Sequence, residues 1–552
     1  MTVAALPPAA TFGHGARVPF LEYEAETAQT NGRILGPDRT FGALAAEASG
    51  RRAVELSRPG DFVEFVLAAP ANALTLRYAV PDSANGSGRD AQLAVRVDGA
   101  LAGRMRLTSR YGWFYGRYPF SNDPRQGRAH HMFDEARLLL GVAAPAGARV
   151  RLEIERGDAS PWVVLDVADF ERVGSPAPPP PRALSVKAFG ADASGLRDSR
   201  LAIQRAIQAG RVHGRPVYLG PGHYRVEGHL IVDRVQLIGA GPWWSVLQGR
   251  GVGVFSRPAP SGSQGVTLRD FAIEGEVTDR NDHAKLSGVG GAMSDSVVSN
   301  LFIHHTKGGL WFDGPLSHLQ VRRVRVTDQT ADGLNFHRGV TDSSVEDSFF
   351  RNTGDDGLAS WSNGAENARI VFRRNTVIAP NLANGIALYG GRDLSVESNV
   401  VADSLTEGGG LHLGARFKAT PVAGRIVFSD NDVVRSGSFD PHWRTGVGAV
   451  WIYALERPMT GATILFARNT LIDSSEEGLQ LIGKAITGAS IRGLRIEGGR
   501  GPDVQLQAPG AASLSDLRSD HAGPPRVVDC GFGFRLVSSP PLPQPERGSC
   551  AQ

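Results

Sequence analysis

Asp332, Asp355 and Asp356 lie in the stretch ADGLNFHRGVTDSSVEDSFFRNTGDDGLASW, where Asp-Gly-Leu occurs twice, the copies 24 residues apart. If the two copies held equivalent places in successive turns of a coil, three carboxyl groups would face one another across a single inter-strand spacing of about 4.8 Å. Carboxylates that close cannot all ionise at neutral pH without cost, so at least one keeps its proton and the group titrates together. A protonated carboxyl beside an ionised one is the equipment for cleaving a glycosidic bond, with an acid for the departing oxygen and a base for water. The plain alternative is that Asp before Gly is turn chemistry, which is the preferred reading of an isolated case such as Asp313. Register decides between them, so the elements that carry these residues come next.

Gly-Leu or Gly-Ile recurs at 309–310, 333–334, 357–358, 385–386, 410–411 and 478–479, each time followed by an alternating apolar segment (GGLWF, DGLNF, DGLAS, NGIAL, GGLHL, EGLQL), with GAVWI from Gly448 in the long gap. A second series lies between them: VSNLFI, VEDSFF, FRRNTVI, VESNVV, FSDNDVV and FARNTLI. Asn300, Asn375, Asn399, Asn431 and Asn469 share one slot of that series, read as a stacked amide ladder at a left-handed bend between two sheets. Two strand types and a period of 24 to 38 residues describe a solenoid, here a right-handed parallel β-helix. A propeller would need four antiparallel strands per repeat, and these repeats are too short.

The rest of the chain fits around that solenoid. The proline run GSPAPPPPRAL marks a stiff linker at 174–183, dividing residues 1–173 from 184–552. Before it, short runs such as DFVEFVL, LTLRYAV and RVRLEIERG, separated by turn residues, predict an antiparallel β-sandwich. After it, DSRLAIQRAIQAG predicts one helix, capped by Asp198 or Ser199, burying Leu201, Ile203, Ala206 and Ile207, ending at Gly210 and covering the solenoid's open edge. The whole is all-β apart from that helix. A formal charge of +3 over 552 residues gives no nucleic-acid or membrane-surface footprint, and no apolar run reaches the ~20 residues a membrane helix needs. No signal peptide is visible in MTVAALPPAATFGHG, which lacks a charged start and a sustained apolar run, and Cys530 and Cys550 read equally as a bridge or as two free thiols.

Sugar rings need aromatic faces and polar groups for their hydroxyls. Trp311, His337, Trp361 and Tyr389 lie on the strand series that carries the acids, and Phe336 reads more readily as core. Trp311 and Trp361 read equally as core or contact, and His337 as transition-state stabiliser or plain surface residue. His304, His305 and Lys307 stand at a corner one coil below the trio. Two insertions, 279–288 and 436–446, lengthen coils into cleft walls, the second bringing His442, Trp443 and Arg444 as substrate contacts. No His or Cys spacing suggests a catalytic metal.

At ADGLNFHRG…RNTGDDGLASWS and the upstream HTKGGLWFDGP the chain resembles glycoside hydrolase family 87, the α-1,3-glucanases and mycodextranases. SVKAFGADASGLRDSRLAIQRAIQAG resembles the opening of the wider pectate-lyase-like superfamily. The resemblance implies an inverting endo-hydrolase of α-glucan, with Asp355 as general acid and Asp332 and Asp356 holding and deprotonating the water. The residues alone leave these roles unassigned, and a one-coil spacing is shorter than the roughly 6.5–9.5 Å of inverting pairs. A dextranase, a polygalacturonase-like hydrolase, a polysaccharide lyase and a non-catalytic glycan-binding β-helix are the rival readings. LEYEAETAQTNG and VVLDVADFERV resemble carbohydrate-binding modules of families 6 and 35, which implies a structural calcium held by Glu24, Glu26 and Asp166. Trp113, Phe114, Tyr115 and Tyr118 form either a glycan platform or a docking face for the solenoid, the docking face being preferred. The expected setting is a secreted monomer with a polysaccharide as its only partner and no catalytic cofactor.

Overall fold

The computed structural model describes residues 13–117, 120–158, 160–441, 443–520, 524–542, 545–548 and 550. Two compact units result, one comprising Val18–Ala177 with Glu276–Lys285, the other Pro178–Gly275 and Leu286–Gln552 together with the segment Ala9–Arg17. Residues 279–285 of the first insertion thus fall in the N-terminal unit and 286–288 in the second. Among the described residues, no helix is long and apolar enough to cross a membrane.

The N-terminal unit is the expected antiparallel sandwich. Its six-stranded sheet centres on Val163–Glu171, flanked by Ala71–Ala79 and Ala53–Leu56, and its five-stranded sheet on Arg149–Glu153 between Phe62–Val66 and Asp90–Val97. Alternation along each strand turns Leu74, Leu76, Val95, Leu152 and Leu165 into a common core. Trp113 donates its indole N–H to the Val80 carbonyl at 2.8 Å, Tyr115 its hydroxyl to Asp82 at 2.9 Å, and Phe114 stacks on His131. These three rings are anchored inside their own domain, which removes Phe114 and Tyr115, both buried, from any glycan platform. Tyr118 lies outside the described residues.

The second unit is a right-handed parallel β-helix with one sheet of 26 short strands and another of 13. In the latter, Leu310, Leu334, Leu358, Ile386, Leu411, Val450 and Leu479 pair in turn, all buried, so the repeat seen in the sequence is the register of the coil. The glycines preceding these residues serve close approach. A Cβ on Gly309 would sit 2.4 Å from the Gly333 carbonyl oxygen, one on Gly333 2.5 Å from that of Gly357, and one on Gly357 2.8 Å from that of Gly385. At these three rungs no side chain fits, and that is why Asp-Gly-Leu repeats; at the rung of Val450, Ala449 takes the place.

The amide ladder forms over four of its five expected members. Asn375, Asn399, Asn431 and Asn469 are buried; each of the first three donates its backbone and side-chain N–H to the side-chain Oδ1 of the next Asn, at 2.8–3.1 Å. Ser348 continues the ladder downward. Asn300 is not in it. It stands one position earlier, in the left-handed column with Arg323, Asp347, Arg374, Ser398, Asp430 and Arg468, and bonds Asp270. The left-handed bend therefore belongs to the residue before the ladder Asn.

The helix spans Arg200–His213 and ends at Gly214, whose φ of +59° is the left-handed cap. Gly210 lies inside it, pressed against Val217 where a Cβ would meet the valine at 2.6 Å. Leu201 faces outward, and Ala202 takes its place on the buried face with Ile203, Ala206 and Ile207. Asp198 receives the Arg200 backbone N–H at 2.9 Å. Cys530 and Cys550 are bridged, with Cα atoms 5.6 Å apart.

Candidate active site

The coil from Gly333 to Gly357 brings the acids together. Gly333 donates its N–H to the Asp356 carbonyl at 3.0 Å and Leu334 pairs with Leu358, so Asp332 and Asp356 are successive rungs of one column. Gly354 lets Asp355 join them. Its own Cβ would lie 2.5 Å from the Thr330 backbone, so only glycine lets this turn lie flat on the coil beneath. Oxygens of the three carboxyl groups all lie within 4.8 Å of one another. Asp355 is partly exposed, whereas Asp332 and Asp356 are buried.

Asp356 has three neutral donors: the Asn384 backbone N–H (2.8 Å) and side-chain amide (3.0 Å) on one oxygen, and the Tyr389 hydroxyl (2.9 Å) on the other. Burial, followed by the charge of Asp355, pushes its carboxyl up to about 7, against the opposing pull of those donors. This raised value carries a sign. The folded state holds a proton that the unfolded chain has released by about pH 4, so stability from this group is full below pH 4 and lost as pH climbs toward 7. Asp356→Asn removes that dependence. Its unfolding midpoint relative to the parent should rise steadily from pH 4 to pH 8, by an amount corresponding to at most about 4 kcal/mol, checked by thermal denaturation of both proteins at matched pH. A flat difference would show that Asp356 ionises normally.

Tyr389, expected at a sugar, is thus buried against the acid. His337 donates its Nδ1–H to Asp313 at 2.6 Å, with Asn363 at 3.3 Å from Nε2. Its ring lies between Trp311 (5.4 Å) and Trp361 (4.8 Å), both partly exposed. Burial works to raise the Asp313 carboxyl, but the bond from His337 prevails and holds it below the usual range. Asp313 therefore orients a histidine, a role its Asp-Gly turn signature hid. The Lys307 ammonium is 5.9 Å from the Trp311 ring centre. His305 is buried and stacked on His304 at 3.6 Å. Phe336 is core.

On the coils beyond the trio, Arg416 lies 4.0 Å over Phe417 and 5.5–5.7 Å from Trp443, Trp451 and Tyr453. Trp443 is 38% exposed at the tip of the hairpin Ser438–Asp440/Thr445–Val447. His442 lies outside the described residues, and Arg444 adopts a left-handed conformation in the same turn. Sequence reading did not single out Asn384, Arg416 or Trp451. Trp451 was visible only as part of the repeat GAVWI.

The three acids for which resemblance implies a calcium gather around Ser49 and Gly50 in the sandwich. Asp166 is fully buried, with one oxygen on the Ser49 N–H (3.0 Å) and the other paired with Arg77. Glu24 receives the Ser49 hydroxyl at 2.8 Å; burial, then the charges of Asp166 and Glu26, push its carboxyl well above the usual range. A permanent guanidinium already neutralises Asp166. Among the described residues, the acid and histidine groups with donor atoms close enough to share an ion do not include these three.

A parallel β-helix carrying three opposed carboxyl groups beside an aromatic strip defines a glycoside hydrolase. Models of α-1,3-glucanase catalytic domains D1 and D2 match residues 17–173 and 198–439, the sandwich and most of the solenoid. The catalytic unit of a thermostable GH87 α-1,3-glucanase from Streptomyces thermodiastaticus strain HF3-3 is 34% identical over 98% of this chain and 99% of its own, with a TM-score of 0.88. A GH87 α-1,3-glucanase catalytic domain in complex with nigerose shares the fold at 24% identity, covering 95% of this chain and 96% of that one, with a TM-score of 0.79. The mannuronan C5-epimerase AlgE6 of Azotobacter vinelandii is 27% identical over 191 residues, 32% of this chain, which spans only 20% of that relative's length. The chain belongs to glycoside hydrolase family 87, the α-1,3-glucanases.

Proposed function

We propose that this protein is an inverting, endo-acting α-1,3-glucanase whose chemistry resides in Asp332, Asp355 and Asp356. The observation that carries this reading is the in-register trio, with oxygens within 4.8 Å and one carboxyl poised near neutrality. Asp355, the member that reaches solvent, delivers the proton to the departing oxygen. Asp332 and Asp356 hold and deprotonate the water from below. Asp356 is suited to accept a proton because only neutral groups bond it, so its charge remains free to change. Trp311, His337 and Trp361 on one side, with Trp443 on the other, supply faces for the glucan, and Lys307 adds a cation near Trp311. The Cys530–Cys550 bridge supports a secreted protein, since such bonds persist in oxidising compartments. No metal takes part in the chemistry we propose.

The test is side-by-side incubation with α-1,3-glucan, nigeran, dextran and polygalacturonate. New reducing ends should arise from the first two, as oligosaccharides of mixed length, and NMR taken early should show them as the β-anomer, the inverted product of an α-linkage. An α-anomer would overturn inversion and suit the short carboxyl spacing of retaining enzymes. Absorbance growing near 235 nm would reveal a lyase instead.

A further inference from the structure

Asn384 is joined to its surroundings by bonds that leave its amide a single orientation. Its Oδ1 receives two donors, the Trp451 indole N–H at 2.7 Å and the Gly409 backbone N–H at 3.0 Å. An oxygen so engaged cannot exchange places with the nitrogen, so Nδ2 must face Asp356 at 3.0 Å. Nδ2 also stands 3.2 Å from the Tyr389 hydroxyl, which itself donates to the other oxygen of Asp356. The anchor is rigid. Trp451 is 1% exposed and stacks on His412 at 4.0 Å, a histidine that burial, reinforced by the Arg416 charge, keeps neutral.

We propose that Asn384 is a positioning residue, its amide locked by the Trp451 indole so that the inner carboxyl of the trio is aimed at the reacting centre. The proposal deepens the glucanase reading and rests on Asp356 belonging to the catalytic apparatus. Charge explains the choice of an amide. An arginine or lysine here would hold Asp356 ionised and pull its pKa down by one to three units, whereas neutral donors orient the carboxyl and leave its proton exchangeable. The linkage also runs outward. Trp451 meets Trp443 edge-on at 6.5 Å, so a partly exposed ring and a buried acid are connected through two side chains.

Asn384→Asp is the sharp test, because it keeps the shape and the Oδ1 acceptor and replaces the donor facing Asp356 by a carboxyl oxygen. With α-1,3-glucan as substrate, kcat should fall roughly 10- to 100-fold, the worth of one hydrogen bond to a charged group, while KM stays within about twofold. The pH–rate limb belonging to Asp356 should move toward alkaline pH by about one unit, since a second carboxyl now faces it. Trp451→Phe keeps an aromatic ring, leaves Oδ1 with the Gly409 N–H as its one remaining donor and so loosens the amide, and should cost about 10-fold in kcat. A parent-like kcat and pH profile for Asn384→Asp would overturn the proposal; if that variant does not fold, as judged by circular dichroism, the same outcome for Trp451→Phe would do so. Asp356→Asn is assayed alongside. Full turnover in that variant would sink the trio itself, whereas an inactive Asp356→Asn beside a parent-like Asn384→Asp would sink only the positioning role.

Discussion

Asp355→Asn and Asp356→Asn should each lower kcat on α-1,3-glucan by roughly 10³- to 10⁴-fold, the upper part of what a positioned acid or base contributes. At 1.36 kcal/mol per tenfold, this is about 4–5.5 kcal/mol of lost transition-state stabilisation. Truncating an aromatic contact such as Trp443 sets the scale for comparison, since a ring face is worth about 0.5–1.5 kcal/mol beyond its area and acts on ground state and transition state alike. The acid variants should therefore keep their affinity for oligosaccharides while losing turnover, and Trp443→Ala should do the reverse. Asparagine is the right replacement at 356 because it can still receive the Asn384 donors, so the coil remains intact. Initial rates and oligosaccharide titrations on the same preparations check both halves. Turnover within tenfold of the parent in either acid variant would move the chemistry elsewhere.

Arg77→Met should destabilise the sandwich by about 3–5 kcal/mol, because it strands buried carboxyl groups that are otherwise compensated. The guanidinium pairs with Asp166, donates to the Glu47 carbonyl at 3.1 Å, lies 3.7 Å from the Glu47 carboxyl and covers the Phe133 ring at 4.5 Å. Glu47 is drawn into the same network by His131 and by the Met132 N–H at 2.7 Å. Burial tends to raise the Glu47 carboxyl, but His131 and Arg77 together hold it below the usual range. Against the 5–15 kcal/mol typical of a whole domain, that loss is severe. Chelator should leave the parent's unfolding midpoint where it is, because the positive charge at Asp166 is covalent. A midpoint that falls in EDTA and recovers with calcium would restore the metal and demote Arg77.

The trio was legible because nothing interrupts the 24 residues between its halves, so chain distance translated directly into one coil. Where coils vary in length, the translation failed. Asn384 and Tyr389 approach Asp356 from 28 and 33 residues further along, after the irregular stretch 379–384, and no period predicts that meeting. The amide ladder was legible as a column but misplaced by one residue at Asn300, since arginine, aspartate and serine occupy the left-handed position as well as asparagine does. Arg77 sits in LTLRYAV, where alternation suggests an outward residue, yet the side chain is buried among carboxyl groups. Buried ion pairs follow no hydropathy pattern and show themselves only in three dimensions. Gly210 misled for a related reason, because a glycine needed for tight packing against Val217 looks, in one dimension, like a stop signal.

The column of glycines from 309 to 385 has a bearing on how such an enzyme can change over time. Whole coils can be gained or lost at either end, lengthening or shortening the solenoid, without altering the distance between the two rungs that bring Asp332 and Asp356 together. Solenoid length and the separation of the acids are thus independent traits, the first open to duplication and the second fixed by a spacer that tolerates neither an added atom nor an added residue.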